Sequence, residues 1–194
     1  MKVLVFVPKG FITTEFGAVV DVLGWAKDDF GCDIQVITCG FQKEVTGTFN
    51  IPIIVEKTID EVFVDDYAAI AIPGGFEEYG FYEEVYNKKF LELIKDFHTK
   101  NKIIATICVG ALPLGKSGIL KNRIATTYSS NNGHRLNQLK GFGISISNEP
   151  IVVDGNIITS NSPKTALDVA LILLEMLTSR DLMEKVKMSM GFVE

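Results

Sequence analysis

The chain alternates short apolar runs with segments whose apolar residues recur at helical spacing. The apolar runs are KVLVFV (2–7), DIQVIT (33–38), YAAIAI (67–72), KIIATI (102–107) and the more polar RIATT (123–127). Runs of this length and composition predict strands that are buried on both faces. Helical spacing predicts helices over 14–26 and 87–99. Pro163 marks the start of a last long helix, because proline is favoured in a first helical turn.

This alternation of strand, helix and strand favours an α/β fold, with a mostly parallel sheet covered by helices on both faces. Two β-rich segments interrupt it and predict small hairpin additions. Segment 41–59 contains Gly47 and Pro52, and segment 149–160 holds two short strands joined at Asp154-Gly155, a strong hairpin signal. With 194 residues and no linker or repeat, we expect a single domain over 1–194.

Charge and composition narrow the class of partner. The chain has 19 basic and 24 acidic residues, a net charge of −5, and no basic cluster. We therefore expect no nucleic-acid or membrane partner. No apolar stretch has the form of a signal peptide or a membrane span.

The cysteines indicate a reduced, cytoplasmic setting, because their number is odd and no signal peptide precedes them. Cys32 and Cys39 flank a predicted strand and would lie about 23 Å apart, too far for a disulfide. No spacing of cysteine and histidine predicts a metal site, and we expect no cofactor.

The candidate chemistry follows the predicted strands, because α/β sheets bind ligands beyond the carboxyl ends of their strands. Cys108 ends the run KIIATI where a helix begins, so the turn projects the thiol outward. The helix N-terminus is expected to lower the pKa of the thiol and favour a nucleophilic thiolate. Pro113 predicts an irregular first helical turn. The alternative is that Cys108 is a small buried apolar residue.

Glu15 falls in the first turn of the first predicted helix, after Thr13-Thr14, either of which can cap it. The carboxylate there can simply complement the helix dipole. Alternatively, a buried Glu15 faces Cys108 with a raised pKa and donates a hydrogen bond to the thiolate.

Gly74-Gly75 follows Pro73 at the end of another predicted strand. The pair predicts a turn with positive φ and bare backbone N–H groups. The Gly75 and Val109 amides are candidates for an oxyanion-type site, although a double glycine also makes a plain tight turn.

Two further side chains are candidate ligand contacts, both in the loop after RIATT. The hydroxyl of Tyr128 lies near a predicted strand end, where a tyrosine can equally be part of the core. His134 begins a short predicted helix and can reach the site from its loop.

Five segments carry a resemblance to a known family: TTEFGAVVDVL, IAIPGG, ATICVGALPLGKSGIL, ATTYSSNNG and VVDGNIITSNSPKTALDVALILLEML. In this order they resemble the ThiJ/PfpI superfamily, which includes the parkinsonism-associated DJ-type proteins. The resemblance implies a flavodoxin-like three-layer sandwich, related to class I glutamine amidotransferases, and a homodimer. It also implies that Cys108 is the reactive cysteine, that Glu15 is its hydrogen-bond partner, and that the Gly75 and Val109 amides surround it.

The chain departs from the superfamily at two positions that matter for chemistry. Protease-type members carry a histidine where Val109 stands, and many glyoxalase, deglycase and hydratase-like members carry one where Tyr128 stands. Glu15 is therefore the only matched acid–base group.

Three functions follow as hypotheses. The first is a cysteine-dependent enzyme acting on reactive carbonyls, of glyoxalase or deglycase type, with a small-molecule substrate. The second is a redox-sensing or stress-response protein in which an oxidant converts Cys108 to the sulfinate. The third is an isonitrile-hydratase or amidase-like hydrolase, since GALPLGKSGIL also resembles that branch.

Overall fold

The computed structural model describes residues 1–130 and 132–192. Its strands are β1 (Lys2–Phe6), β2 (Gln35–Gly40), β3 (Glu44–Thr46), β4 (Pro52–Ile54), β5 (Lys57–Thr58), β6 (Ala69–Ile72), β7 (Ile103–Thr106), β8 (Ile124–Ala125), β9 (Ser145–Ile146), β10 (Ile151–Asp154) and β11 (Ile157–Ser160). The central sheet has the order β10-β11-β7-β6-β1-β2-β5. Its neighbours pair in parallel except β10 and β11, so the predicted mostly parallel sheet is confirmed.

Both predicted β-additions are present. β3 pairs antiparallel with β4, and β10 forms a hairpin with β11 through Gly155, which has a φ of 62°. The run RIATT does not join the central sheet. Its residues Ile124–Ala125 form β8, which pairs in parallel with β9 in a separate two-stranded sheet.

The helices are α1 (Thr13–Phe30), α2 (Phe81–Val85), α3 (Lys88–Thr99), α4 (Ala111–Ser117), α5 (His134–Gly141), α6 (Ala166–Leu177) and α7 (Arg180–Ser189). Neither threonine caps α1, because Ile12 is its N-cap and no side chain bonds there. Pro163 opens a short 3-10 turn before α6. The last predicted helix is therefore divided, since α7 follows α6 after a break.

The apolar runs are buried because helices cover both faces of the sheet. α1 packs against α6 and α7, while α3 packs against α4. The side chains of Val3, Leu4, Val5 and Phe6 in β1 are completely inaccessible to solvent. Phe6 also stacks on Phe90 of α3, with ring centroids 3.9 Å apart. Within the described ranges, no helix is long and apolar enough to cross a membrane.

The order of three central strands decides what meets at one edge of the sheet. β7, β6 and β1 are neighbours and run in the same direction. Their carboxyl ends therefore lie side by side, and the loops that leave them converge. These loops lead to Cys108, to Gly74-Gly75 and to Glu15.

Candidate active site

Cys108 lies in the turn between β7 and α4. Its φ is 56°, in the left-handed region that residues other than glycine rarely adopt, so the backbone is strained there. The Thr127 hydroxyl donates a 2.8 Å hydrogen bond to the Cys108 carbonyl oxygen and helps to hold this conformation. Residues Cys108–Gly110 form a 3-10 turn before α4 begins. The first turn is thus irregular, as Pro113 predicts.

The Glu15 carboxyl lies next to the Cys108 thiol and is inaccessible to solvent. Its Oε2 accepts a 2.5 Å hydrogen bond from the Gly74 N–H. Among the described residues, Oε1 has no partner that meets the geometric criteria of a hydrogen bond. The interaction of the carboxyl with the Cys108 thiol is therefore weaker than its hydrogen bond to the Gly74 N–H. Burial raises the pKa of Glu15 to about 7, because the hydrogen bonds only partly offset the cost of burying a charge.

The Cys108 thiol is buried, and its pKa is raised. The residue is only 4% exposed. Burial raises the pKa of the thiol, and the negative charge of Glu15 raises it further. The Val109 N–H and the positive charge of Arg135 act in the opposite direction without reversing the shift. The expected lowering of the thiol pKa is therefore wrong. Of the two groups, Glu15 is the one whose pKa lies near neutral pH.

Gly74 and Gly75 are required by close packing. Neither has a positive φ, so that part of the sequence prediction is wrong. A Cβ added to Gly74 would lie 2.9 Å from Glu15 Oε2 and 3.0 Å from Cys108 Cβ. A Cβ on Gly75 would lie 2.2 Å from a ring carbon of Phe81. The double glycine thus lets the loop pack closely against the Glu15 carboxyl, Cys108 and the Phe81 ring.

A cavity of about 290 Å³ opens beside Cys108, a volume suited to a small molecule. Its lining residues are Ile12, Gly75, Phe76, Glu77, Glu78, Tyr82, Cys108, Val109, Tyr128, His134, Arg135 and Pro163. Of the sequence-predicted site residues, Cys108, Gly75, Val109, Tyr128 and His134 line the cavity. Glu15 and Gly74 do not, and instead contact each other beside the sulfur.

The two candidate ligand contacts differ in exposure. Tyr128 is half-buried, whereas the His134 side chain is exposed at the start of α5. His134 thus lines the cavity as an exposed residue. Their roles as ligand contacts stay predictions.

Seven of the twelve lining residues were not predicted as site residues from the sequence, and two of them, Glu77 and Tyr82, contact a third, Arg135. Arg135 directly follows His134, and its guanidinium donates a 2.6 Å hydrogen bond to Glu77. It also lies 4.6 Å from the centroid of the Tyr82 ring, a cation–π contact. Glu77 follows the Gly74-Gly75 pair in the same loop. Both charged residues could have been selected from the sequence, because Arg135 is adjacent to His134 and Glu77 lies two residues after Gly75.

The profile of the DJ-1/PfpI family matches residues 1–176. The chain belongs to the DJ-1/PfpI family. This confirms the superfamily resemblance on which the flavodoxin-like fold was expected.

Three relatives illustrate the extent of the similarity. The crystal structure of DJ-1beta from Drosophila melanogaster superposes with a TM-score of 0.84 at 25% identity, covering 97% of this chain and 96% of that one. An uncharacterized protein of Methanocaldococcus jannaschii is 37% identical over 84% of this chain and 75% of its own. Deglycase PfpI of Pyrococcus furiosus is 34% identical over 66% of this chain and 74% of its own.

Proposed function

We propose that the protein is a cysteine-dependent enzyme of glyoxalase or deglycase type that acts on small reactive carbonyl compounds. One observation carries the proposal: a buried carboxyl with a pKa of about 7 lies beside a thiol that borders a small cavity. A base whose pKa lies near the working pH is the most effective general base. Glu15 can therefore supply the activation that a thiol with a raised pKa requires.

The chemistry needs no external oxidant or reductant. With methylglyoxal, the Glu15 carboxylate accepts the S–H proton while the Cys108 sulfur bonds to the aldehyde carbon. The carbonyl oxygen takes up a proton, and a hemithioacetal results. A proton then moves from the former aldehyde carbon, which now carries the sulfur, to the neighbouring ketone carbon through an enediol. The product is the thioester of a 2-hydroxy acid. Water hydrolyses the thioester, releases lactate and restores the thiol.

Two backbone amides support the same chemistry. The Val109 N–H faces the Cys108 sulfur, and Gly75 lines the cavity beside it. Donors in these positions can stabilise the oxygen that becomes negative when sulfur adds to a carbonyl. The name deglycase, which the Pyrococcus furiosus relative carries, agrees with the proposal.

The test is lactate formation from methylglyoxal, followed by NMR as a function of pH. We expect kcat/KM to rise with pH through about 7, as Glu15 becomes a carboxylate. Cys108→Ala should abolish turnover, and Glu15→Gln should lower it about 10²- to 10⁴-fold. Cys32→Ser removes a half-buried thiol outside the cavity and serves as the matched control. Unchanged rates in both site variants would contradict the proposal.

The two alternative functions have less support in the site. Oxidation to a sulfinate requires the thiolate, and burial together with Glu15 raises the pKa of the Cys108 thiol. Peroxide treatment followed by intact-mass measurement tests this alternative, since a stable gain of two oxygens on Cys108 supports it. The hydratase or amidase alternative stays a prediction. Tyr128 stands where hydratase-like members carry histidine, as many glyoxalase and deglycase members also do.

A further inference from the structure

Arg135 is fixed on the wall of the cavity by three neighbours. Its Nη2 donates to Glu77 Oε2 at 2.6 Å, and its Nη1 donates to Gln138 Oε1 at 3.1 Å. Its guanidinium carbon lies over the Tyr82 ring, 4.6 Å from the centroid. The Arg135 side chain is 19% exposed. A guanidinium held in this way is pre-organised to bind a carboxylate.

Gln138, which holds Arg135, is itself held. Its Nε2 donates a 2.8 Å hydrogen bond to the hydroxyl of Tyr86. The Tyr86 ring in turn packs against Tyr82, with centroids 5.2 Å apart. Both tyrosine rings and Gln138 thus fix the guanidinium, independently of Glu77.

Glu77 is bound much less firmly than Arg135. Its side chain is 64% exposed, and an exposed ion pair contributes little to stability. The carboxylate can therefore turn into solvent at small cost while the guanidinium stays in place. Its present position shows where Arg135 binds a carboxylate at the cavity wall.

We propose that Arg135 is a specificity-determining residue that binds the carboxylate of an aldehyde substrate, and that this carboxylate displaces Glu77. The substrate class is then a small carbonyl compound with a carboxylate next to the reacting aldehyde. The inference rests on the proposed attack of Cys108 on an aldehyde, because Arg135 and Cys108 line the same small cavity.

The chemical step is reversible addition. The S–H bond of Cys108 breaks, a bond forms between sulfur and the aldehyde carbon, and the proton passes to the former carbonyl oxygen. The carboxylate takes no part in this step and only orients the aldehyde through Arg135.

Glu78 also borders the cavity, and its negative charge would repel an anionic substrate. Because Glu78 is exposed, solvent and salt screen this charge.

Calorimetric titration of the full chain with glyoxylate and glycolaldehyde tests the inference. The two aldehydes are similar in size, and only glyoxylate carries a carboxylate. Neither can rearrange to a hydroxy acid as methylglyoxal does, so the titration reports binding and reversible addition without turnover. Arg135→Gln should weaken glyoxylate binding about tenfold or more, as expected for loss of a charge-assisted hydrogen bond. Glycolaldehyde binding should change less than about threefold.

Glu77→Gln gives the opposite expected result. Loss of the competing carboxylate should tighten glyoxylate binding about two- to fivefold. The gain should vanish when Arg135→Gln is also present, because the two effects share one guanidinium. Arg180→Gln, at an exposed position of α7, is the matched control and should change neither affinity.

Several outcomes would overturn the inference. They are absence of glyoxylate binding to the unaltered chain, equal losses for both aldehydes in Arg135→Gln, and weaker glyoxylate binding in Glu77→Gln. Methylglyoxal turnover in the same preparations judges the proposed function separately. If turnover is present and glyoxylate does not bind, only the role of Arg135 fails.

Discussion

At Glu15, burial and hydrogen bonding act in opposite directions on one carboxyl, and burial dominates. The result is a residue that is neutral in mildly acidic solution and charged in mildly basic solution. Sequence reasoning could select Glu15, because an early helix follows β1 and must start at the ligand-binding edge. It could not place the proton of the pair, because the balance depends on how completely the folded chain excludes water.

The raised pKa of Glu15 predicts a pH-dependent contribution to stability. In the unfolded chain the carboxyl titrates near 4.5, and in the folded chain near 7. The contribution is therefore complete below pH 4.5 and is lost as the pH rises through 7. Relative to Glu15→Gln, the unaltered chain should lose about 2 to 3 kcal/mol of unfolding free energy between pH 5 and pH 8. Urea unfolding of both proteins at the two pH values measures it, and parallel pH curves would contradict it.

Replacing Gly74 by alanine should reduce activity through a steric effect on the Glu15 carboxyl. The Cβ of Gly74→Ala would lie 2.9 Å from Glu15 Oε2 and so displace the carboxyl from the thiol. We expect methylglyoxal turnover to fall at least about tenfold in a protein that still folds. Gly24→Ala is the matched control, because a Cβ there meets no atom within 4 Å. Similar turnover in the two alanine variants would disprove the role assigned to Gly74.

At the scale of elements, the turn from β7 into α4 holds the thiol in a strained conformation. A strand that runs directly into a helix leaves one residue with a φ of 56°. The apolar run ending at Cys108 and the small residues after it predict this turn from the sequence. The placement of β8 was less predictable, because a two-residue strand pairs according to its surroundings in the folded chain.

The strain at Cys108 predicts an inversion of the usual effect of glycine. Cys108→Gly should be more stable than Cys108→Ala by about 1 kcal/mol, because glycine adopts a positive φ without steric cost. Cys39, within β2, supplies the control. At this position Cys39→Gly should be less stable than Cys39→Ala by about 0.5–1 kcal/mol, because glycine there only increases the conformational entropy of the unfolded chain. Urea unfolding of the four variants measures both differences, and the same sign at both positions would argue against strain.

At the scale of the whole molecule, three adjacent strands bring together residues that are 93 positions apart, from Glu15 to Cys108. The strand order of an α/β sheet makes this convergence predictable. The positions of Arg135 and Tyr82 could not be predicted from the strand order, because they reach the cavity from α5 and α2 rather than from a strand end. Their contribution follows from packing between helices, which the sequence pattern does not specify.

The homodimer implied by the superfamily resemblance remains a prediction. Sedimentation velocity should give twice the mass of one chain at micromolar concentration. A species with the mass of one chain at all concentrations tested would contradict it.

The burial of the Cys108 thiol, which is 4% exposed and has a raised pKa, has a practical consequence for surveys that rank cysteines by reactivity. General electrophilic probes such as iodoacetamide label the thiolate, so they should mark the more accessible Cys32 first. A proteome-wide screen would then rank this protein by the reactivity of Cys32, which lies outside the cavity. Aldehyde-based probes, which use Glu15 as the base, are the reagents suited to detect Cys108.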